Sequence, residues 1–211
     1  MYKTKIQSDD IVEQIKNNFT IEQDELEFIP HKVMKSDIPE NFNIGIIVGK
    51  SGSGKSILLK DFGQEKAIEW DSRPIASHFK DYNDAEERLL GAGLASIPTW
   101  LKPYSVLSNG EKHRADLARI VSNGVVVDEF ISYVDNNAAL GVANSIGKYI
   151  RKNDFKSCVF ATLNREIIEY IDPCWVYDTD TRKLTINKKY YDVEFDDVIT
   201  FKKTNPVMYI N

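Results

Sequence analysis

The sequence predicts an α/β fold with a largely parallel sheet at its centre, and three apolar runs carry that prediction. Ile44-Gly45-Ile46-Ile47-Val48, Gly124-Val125-Val126-Val127 and Ser157-Cys158-Val159-Phe160-Ala161 are nearly continuous in apolar residues. Strands covered on both faces read this way, whereas half-exposed strands alternate. The first run is followed by a glycine-rich loop and the second by the acids Asp128 and Glu129, while the third ends at Thr162-Leu163-Asn164. Open α/β sheets bind their ligands at the carboxyl ends of strands, so the loop and the two acids are expected to share one site.

The first run leads into Gly49-Lys50-Ser51-Gly52-Ser53-Gly54-Lys55-Ser56, which fills every fixed position of the phosphate-binding loop G-x-x-x-x-G-K-[ST]. The context fits as well, because Ser56-Ile57-Leu58-Leu59-Lys60 leads out as a helix. Glycines let the backbone curl around phosphate oxygens, so that N–H groups and the positive helix end point at the anion. Lys55 is then expected on the β- and γ-phosphates, and the Ser56 hydroxyl on Mg²⁺. The second run ends in Asp128, expected to hold Mg²⁺ directly or through water, and Glu129, expected to polarise the attacking water. That strand is too apolar for an edge and is expected in the sheet centre beside the strand feeding the loop.

At 211 residues and 42% hydrophobic, the chain is long enough for one core, and a formal charge of −5 rules out a generally basic nucleic-acid-binding surface. The basic stretches Lys183 to Lys189 and Lys202-Lys203 are interrupted by Asp192, Glu194, Asp196 and Asp197 and read as solvated faces, leaving DNA contact open. Cys158 and Cys174 have no metal spacing and are expected as free thiols. No secretory leader and no run of about 18 apolar residues is present, so a cytoplasmic protein that does not itself enter a membrane is expected.

Residues 1 to 42 read as a short strand (Tyr2 to Gln7), a polar helix (Asp9 to Asn18) and an extended segment. Phe28 and Phe19 are placed to stack on an adenine or to fill a core. Ala67-Ile68-Glu69-Trp70-Asp71 reads as a strand closing on an acid; Asp71 is either a further Mg²⁺ ligand or a solvated turn residue. From Pro74 the pattern is helical, with Asn83 and Glu86 spaced as a capping box and an end near Gly91-Ala92-Gly93. Leu107-Ser108-Asn109-Gly110-Glu111 opens another helix, Lys112 to Val121, with Ser108 and Glu111 again spaced as a capping box. Asp135 is placed to start the helix carrying Ala138, Val142, Ile146 and Ile150 on its buried side. Short strands at Trp175-Val176-Tyr177, Lys183 to Ile186 and within Tyr190 to Tyr209 complete the chain.

The phosphate loop, the segment Leu107 to Glu111, the strand Val125 to Glu129, Asp135 and a strand ending near Asn164 follow one another in an order that resembles the ATP-binding cassette (ABC) ATPases. The resemblance covers roughly residues 42 to 180. It implies a P-loop NTPase with an ABC-type sheet core (1–73 and 124–211) and a short inserted helical subdomain (74–123), together one domain. It also implies a head-to-tail homodimer formed on ATP. Ser108, Asn109 and Gly110 of one subunit would meet the γ-phosphate held by residues Gly49 to Ser56 of the other, with Asp135 at the seam.

This sequence departs from the family at three places. Asn109 replaces a usual glycine, Asp71 stands where a glutamine is expected, and Asn164 stands where a histidine contacts the γ-phosphate. Asparagine donates a hydrogen bond but cannot become a cation, which implies slow hydrolysis with Glu129, Lys55 and Asn164 as the catalytic set. Leu101 to Glu111, Val125 to Phe130 and Pro173 to Asp178 are similar to a narrower group of soluble phage and bacterial cassettes, some fused to an acetyltransferase-like domain that would here be a separate partner. The expected function is a soluble Mg·ATP-dependent ATPase acting on or with a macromolecule, plausibly in phage or bacterial DNA metabolism and in the host cytoplasm if phage-encoded. A low-turnover regulatory subunit of another enzyme and a nucleotide-binding transporter subunit stay open as alternatives.

Overall fold

The structure, a computed structural model, describes residues 2–28, 31, 33, 35–132, 134–191 and 207–210, with backbone alone at 2–4, 26–28, 35 and 207–210. The chain divides into two compact units, Met1–Lys32 and Val33–Asn211. In the first, β1 (Tyr2–Lys5) pairs antiparallel with β2 (Glu25–Phe28), and α1 (Asp10–Phe19) lies between them in sequence. The Asp9 carboxylate caps α1 by accepting the N–H groups of Ile11 and Val12 at 3.0 and 2.9 Å. Phe19 is exposed at the end of α1, and the side chain of Phe28 lies outside the described residues.

The second unit is built on a sheet in the order β4-β5-β3-β6-β7-β8. Its strands are β3 (Ile44–Val48), β4 (Val126–Val127), β5 (Cys158–Thr162), β6 (Trp175–Asp178), β7 (Lys183–Asn187) and β8 (Val207–Ile210). β4, β5, β3 and β6 run parallel, β7 is antiparallel to β6, and β8 is parallel to β7. The segment 192–206, which includes the acids and lysines noted in the sequence, lies outside the described residues.

Two apolar layers sandwich the sheet, and alternate residues of each strand feed them. Ile44, Ile46 and Val48 enter one layer with Val125, Val127 and Phe160, while Ile47 enters the other with Val126, Val159 and Ala161. This double burial is what makes the strand sequences continuously apolar. It also explains a correction: β4 is not beside β3 but at the end of the sheet, with β5 between them. Helical cover above and below keeps β4 buried, and apolarity reports that cover rather than position in the strand order.

Gly45 sits on β3 against the indole of Trp175, and a β-carbon there would overlap the ring. Trp175 is fully buried and packs against Phe42 and Phe62 at ring separations of 5.4 Å. Gly45→Ala is therefore expected to destabilise the second unit by about 2–3 kcal/mol, because neither the strand nor the wedged ring can yield. Urea unfolding followed by tryptophan fluorescence measures this as a lower midpoint at unchanged slope.

The helical region has α3 (Tyr82–Gly91), the single turn α4 (Ile97–Trp100) and α5 (Asn109–Ile120). α3 is capped by Asp81, which accepts the Asp84 N–H at 2.9 Å, and not by the Asn83–Glu86 pair; Tyr82 takes Glu86 instead. α5 starts three residues earlier than the apolar pattern implies because the Ser108–Glu111 capping box forms in full. Residues 67–71 are not a strand. Side chains of α5 hold them: Arg119 donates to the Glu69 carbonyl at 2.6 Å and lies over the Trp70 ring, and the Trp70 indole donates to Asp116 at 2.8 Å. Beyond β4, α6 (Asn136–Lys152) buries Ala139, Val142, Ile146 and Ile150, with Asp135 as its cap as expected and Ala138 only half-buried; α7 (Ile167–Ile171) packs beside it.

Candidate nucleotide site

β3 delivers Gly49 and α2 (Lys55–Leu59) leads away from Gly54, so the loop sits at the carboxyl end of a central parallel strand. Gly54 has φ 92° at the helix cap, a conformation open to glycine and costly to other residues. Gly49 faces Thr179 so closely that a β-carbon would strike its hydroxyl. Thr179 also shares a 2.6 Å hydrogen bond with the Ser53 hydroxyl, and its N–H donates to the Val48 carbonyl at 2.8 Å. The turn after β6 thus braces the loop from the side.

Lys55 is buried, and its ammonium donates to the carbonyls of Gly49 and Lys50 at 2.9 and 2.7 Å. Burial lowers its pKa, and the charges of Asp128, Asp180 and Glu129 oppose that shift. Ser56 of the loop and Asp128, far apart in sequence, are brought together in the fold. Ser56 and Asp128 line one cavity of about 370 Å³. Glu129 and Asp128 line a second, of about 520 Å³, with Trp70, Tyr104, His113 and Asp116.

The acid-bearing turn is held in an unusual backbone. Glu129 has φ 48° and Ile131 φ 65°, a left-handed region that non-glycine residues, and β-branched ones above all, rarely enter. Tertiary bonds maintain it: Phe130 N–H donates to the Ala161 carbonyl at 2.8 Å, Thr162 Oγ1 donates to the Phe130 carbonyl at 3.0 Å, and Ile131 N–H donates to His113 Nε2 at 3.2 Å. Glu129 N–H donates to Asp128 Oδ1 at 2.8 Å, which orients the first acid.

Asp71 is not part of this cluster. Its carboxylate pairs with Arg73 and His78 at 2.9 Å each, it lines neither cavity, and the Arg73 hydrogen bond brings its pKa down to about 2. The place beside Ser56 and Asp128 is taken by Gln64 and Glu65, with the Asp128 N–H donated to Glu65 Oε1 at 2.6 Å. Gly63-Gln64-Glu65-Lys66 reads as a solvated turn in sequence. Only the return of the chain over Val126 at Gly63 brings it to the acids.

Ser108, Asn109 and Gly110 form the start of α5, with Ser108 and Asn109 exposed. Ser108 N–H and Oγ both donate to Glu111 Oε2 at 2.9 Å, holding the Glu111 carboxyl below its usual range, and Arg114 Nε takes the Gly110 carbonyl at 3.0 Å. Among the described residues, none of the three hydrogen-bonds the phosphate loop of its own chain. Asn164 donates through Nδ2 to Asn136 Oδ1 at 2.8 Å and accepts the Glu166 N–H at 2.9 Å, which ties it to the residue after Asp135.

Ser56 and Asp128 are hard oxygen donors, the chemistry Mg²⁺ selects. No group of three or more His, Cys, Asp or Glu stands together as a metal cage among the described residues. Two protein oxygens fit an ion that keeps water and phosphate oxygens in its remaining positions.

The loop, the strand order and the acid pair define a P-loop NTPase fold. More narrowly it is the fold of the ATP-binding cassettes. MJ0796, an ATP-binding cassette solved as a dimer in a post-hydrolysis state bound to ADP and Pi, is similar at 14% identity over 67% of this chain and 82% of its own, with a TM-score of 0.51. The cassette cbiO1 from Clostridium perfringens, part of the transporter complex cbiONQ, is 14% identical over 67% of this chain and 74% of its own, with a TM-score of 0.46. No family model and no curated protein matches the sequence. Among the described residues, no helix is long and apolar enough to cross a membrane.

Proposed function

We propose that the protein is a cassette-type ATPase that binds Mg·ATP at Gly49–Ser56 and closes head to tail with a second copy. The observation that carries this reading is the convergence at the carboxyl end of β3 of a buried Lys55, held by the Gly49 and Lys50 carbonyls, with Ser56 and Asp128, which line one cavity. Lys55 holds the β- and γ-phosphates, and Ser56 and Asp128 would hold Mg²⁺, which when bound would supply counter-charge to the phosphates. Glu129, on its strained turn, accepts the proton of the water that attacks the γ-phosphorus. Ser108 and Gly110, together with Asn109, stand at the start of α5, whose Ser108 and Asn109 are exposed and make no hydrogen bond to the phosphate loop of their own chain among the described residues; a second copy's terminal phosphate is a fitting partner. Asp135 lies at the seam.

Turnover is slow in this reading. Asn164 is a neutral group already committed to Asn136 and Glu166, so it offers the transition state no cation. A protein of this kind serves as an ATP-controlled clamp on a macromolecule, with a soluble cytoplasmic role in phage or bacterial DNA metabolism favoured by the sequence resemblance. A separate acyltransferase-like partner is a second candidate on the same ground.

The test is the molar mass of the Glu129→Gln protein by size exclusion with light scattering. From a chain of 24.1 kDa, addition of Mg·ATP is expected to give about 48 kDa. A monomer that demonstrably holds ATP refutes closure in trans.

A further inference from the structure

The turn after β6 places two carboxylates beside the phosphate loop. Asp180 Oδ1 accepts the N–H of Lys50, the second residue of the loop, at 3.2 Å, and its charge acts on Lys55. A carboxylate fixed to the loop's own backbone opposes entry of a polyanion, whichever nucleotide that is. Arg165 answers it. One guanidinium nitrogen donates to Asp180 Oδ2 at 2.8 Å, and Arg165 also pairs with Asp178. Asp178 is fixed in turn: burial would raise its pKa, but Arg165 and the N–H groups of Thr181 and Asp180 outweigh burial and hold it ionised. The side chains of Asp178 and Asp180 are about one-fifth exposed, so their field on the loop is only partly screened by solvent.

We propose that Arg165 is a positioning residue that sets nucleotide affinity by neutralising Asp180 at the phosphate loop. This rests on the reading of Gly49–Ser56 as the nucleotide site. The geometry distributes the work between neighbours: Asn164 is bonded toward α6, whereas Arg165, the next residue, is turned to the loop side. The chain therefore keeps a cation near the phosphates although the residue at the family's histidine position carries none. The cation acts through Asp180, whose hydrogen bond to Lys50 N–H also fixes the entrance of the loop.

The experiment is calorimetric titration of Mg·ATP and Mg·ADP into the full chain, its Arg165→Ala, Arg165→Lys and Asp180→Asn variants, and the double variant Arg165→Ala/Asp180→Asn. Arg165→Ala is expected to weaken both nucleotides about 10-fold at low salt, with the loss shrinking as ionic strength rises. Arg165→Lys keeps most of the affinity. The double variant recovers to within about 2-fold of the unsubstituted chain, because a neutral amide in place of the Asp180 carboxylate no longer needs a counter-charge. Unchanged affinity in Arg165→Ala, or a loss that persists in the double variant, overturns the proposal. Thermal melting of each variant separates an unfolded protein from a weakened site, and the double variant supplies the answer where Arg165→Ala alone fails to fold. If the unsubstituted chain itself binds neither nucleotide, the reading of the site fails instead, a result distinct from every outcome above.

Discussion

Lys55→Ala is expected to weaken ATP binding by at least about 30-fold, and by several orders of magnitude at most, while leaving the fold intact. The ammonium is buried and already desolvated, held by the Gly49 and Lys50 carbonyls and by the field of three acids. Burial has been met during folding, so little reorganisation stands between the empty and the phosphate-bound states. Truncating one member of a buried, charge-assisted pair costs about 2–5 kcal/mol, on the order of 30- to 5,000-fold in Kd. The variant also leaves Asp128, Asp180 and Glu129 without their nearest buried cation, which adds repulsion toward a triphosphate. Titration with Mg·ATP, with circular dichroism to verify folding, checks the result. Retained affinity refutes the assignment of the loop.

The second large effect is on chemistry. Glu129→Gln is expected to cut ATP turnover by about 10²- to 10⁴-fold without loss of ATP binding, since glutamine matches the shape of glutamate but cannot take the proton of the attacking water. The exchange leaves the backbone hydrogen bonds of the left-handed turn in place: Phe130 N–H to the Ala161 carbonyl, Ile131 N–H to His113 Nε2 and Ser132 N–H to the Glu129 carbonyl use no atom that the substitution changes. Phosphate release measured at saturating Mg·ATP reads the effect as a fall in kcat at similar KM. Unchanged turnover moves the general base elsewhere, and Glu65, which shares the second cavity, is then the next residue to replace.

The two predictions draw on different kinds of information. Lys55 was legible in sequence because the loop motif fixes its lysine by spacing, and the Asp128–Glu129 pair because it follows an apolar run. Asp135 and Ser108 were legible for a similar reason: helix caps are local, decided within about four residues. The sequence misplaces features whose partners are distant. The segment 67–71 has the composition of a strand, yet Trp70 is claimed by Asp116 and Arg119 of α5, and side-chain contacts replace the ladder. Asp71 looked like a ligand because an acid after a strand sits near the site. With no strand there, it pairs with Arg73 and His78.

By itself the sequence determined the double-sided burial of the sheet, the glycine-rich turn between β3 and α2 that carries Lys55 and Ser56, the place of Asp128 and Glu129 just after β4, and the capped start of α5. All of these follow from local spacing or from the solvent environment of short segments. Tertiary structure alone decided that β5 separates β4 from β3, that Gln64 and Glu65 rather than Asp71 stand beside Ser56, and that Arg165 neutralises an acid fixed on the loop. Those are pairings between residues far apart in the chain. Hydrophobic pattern says which residues are buried, but close packing and the need to pair every buried charge select which of them meet.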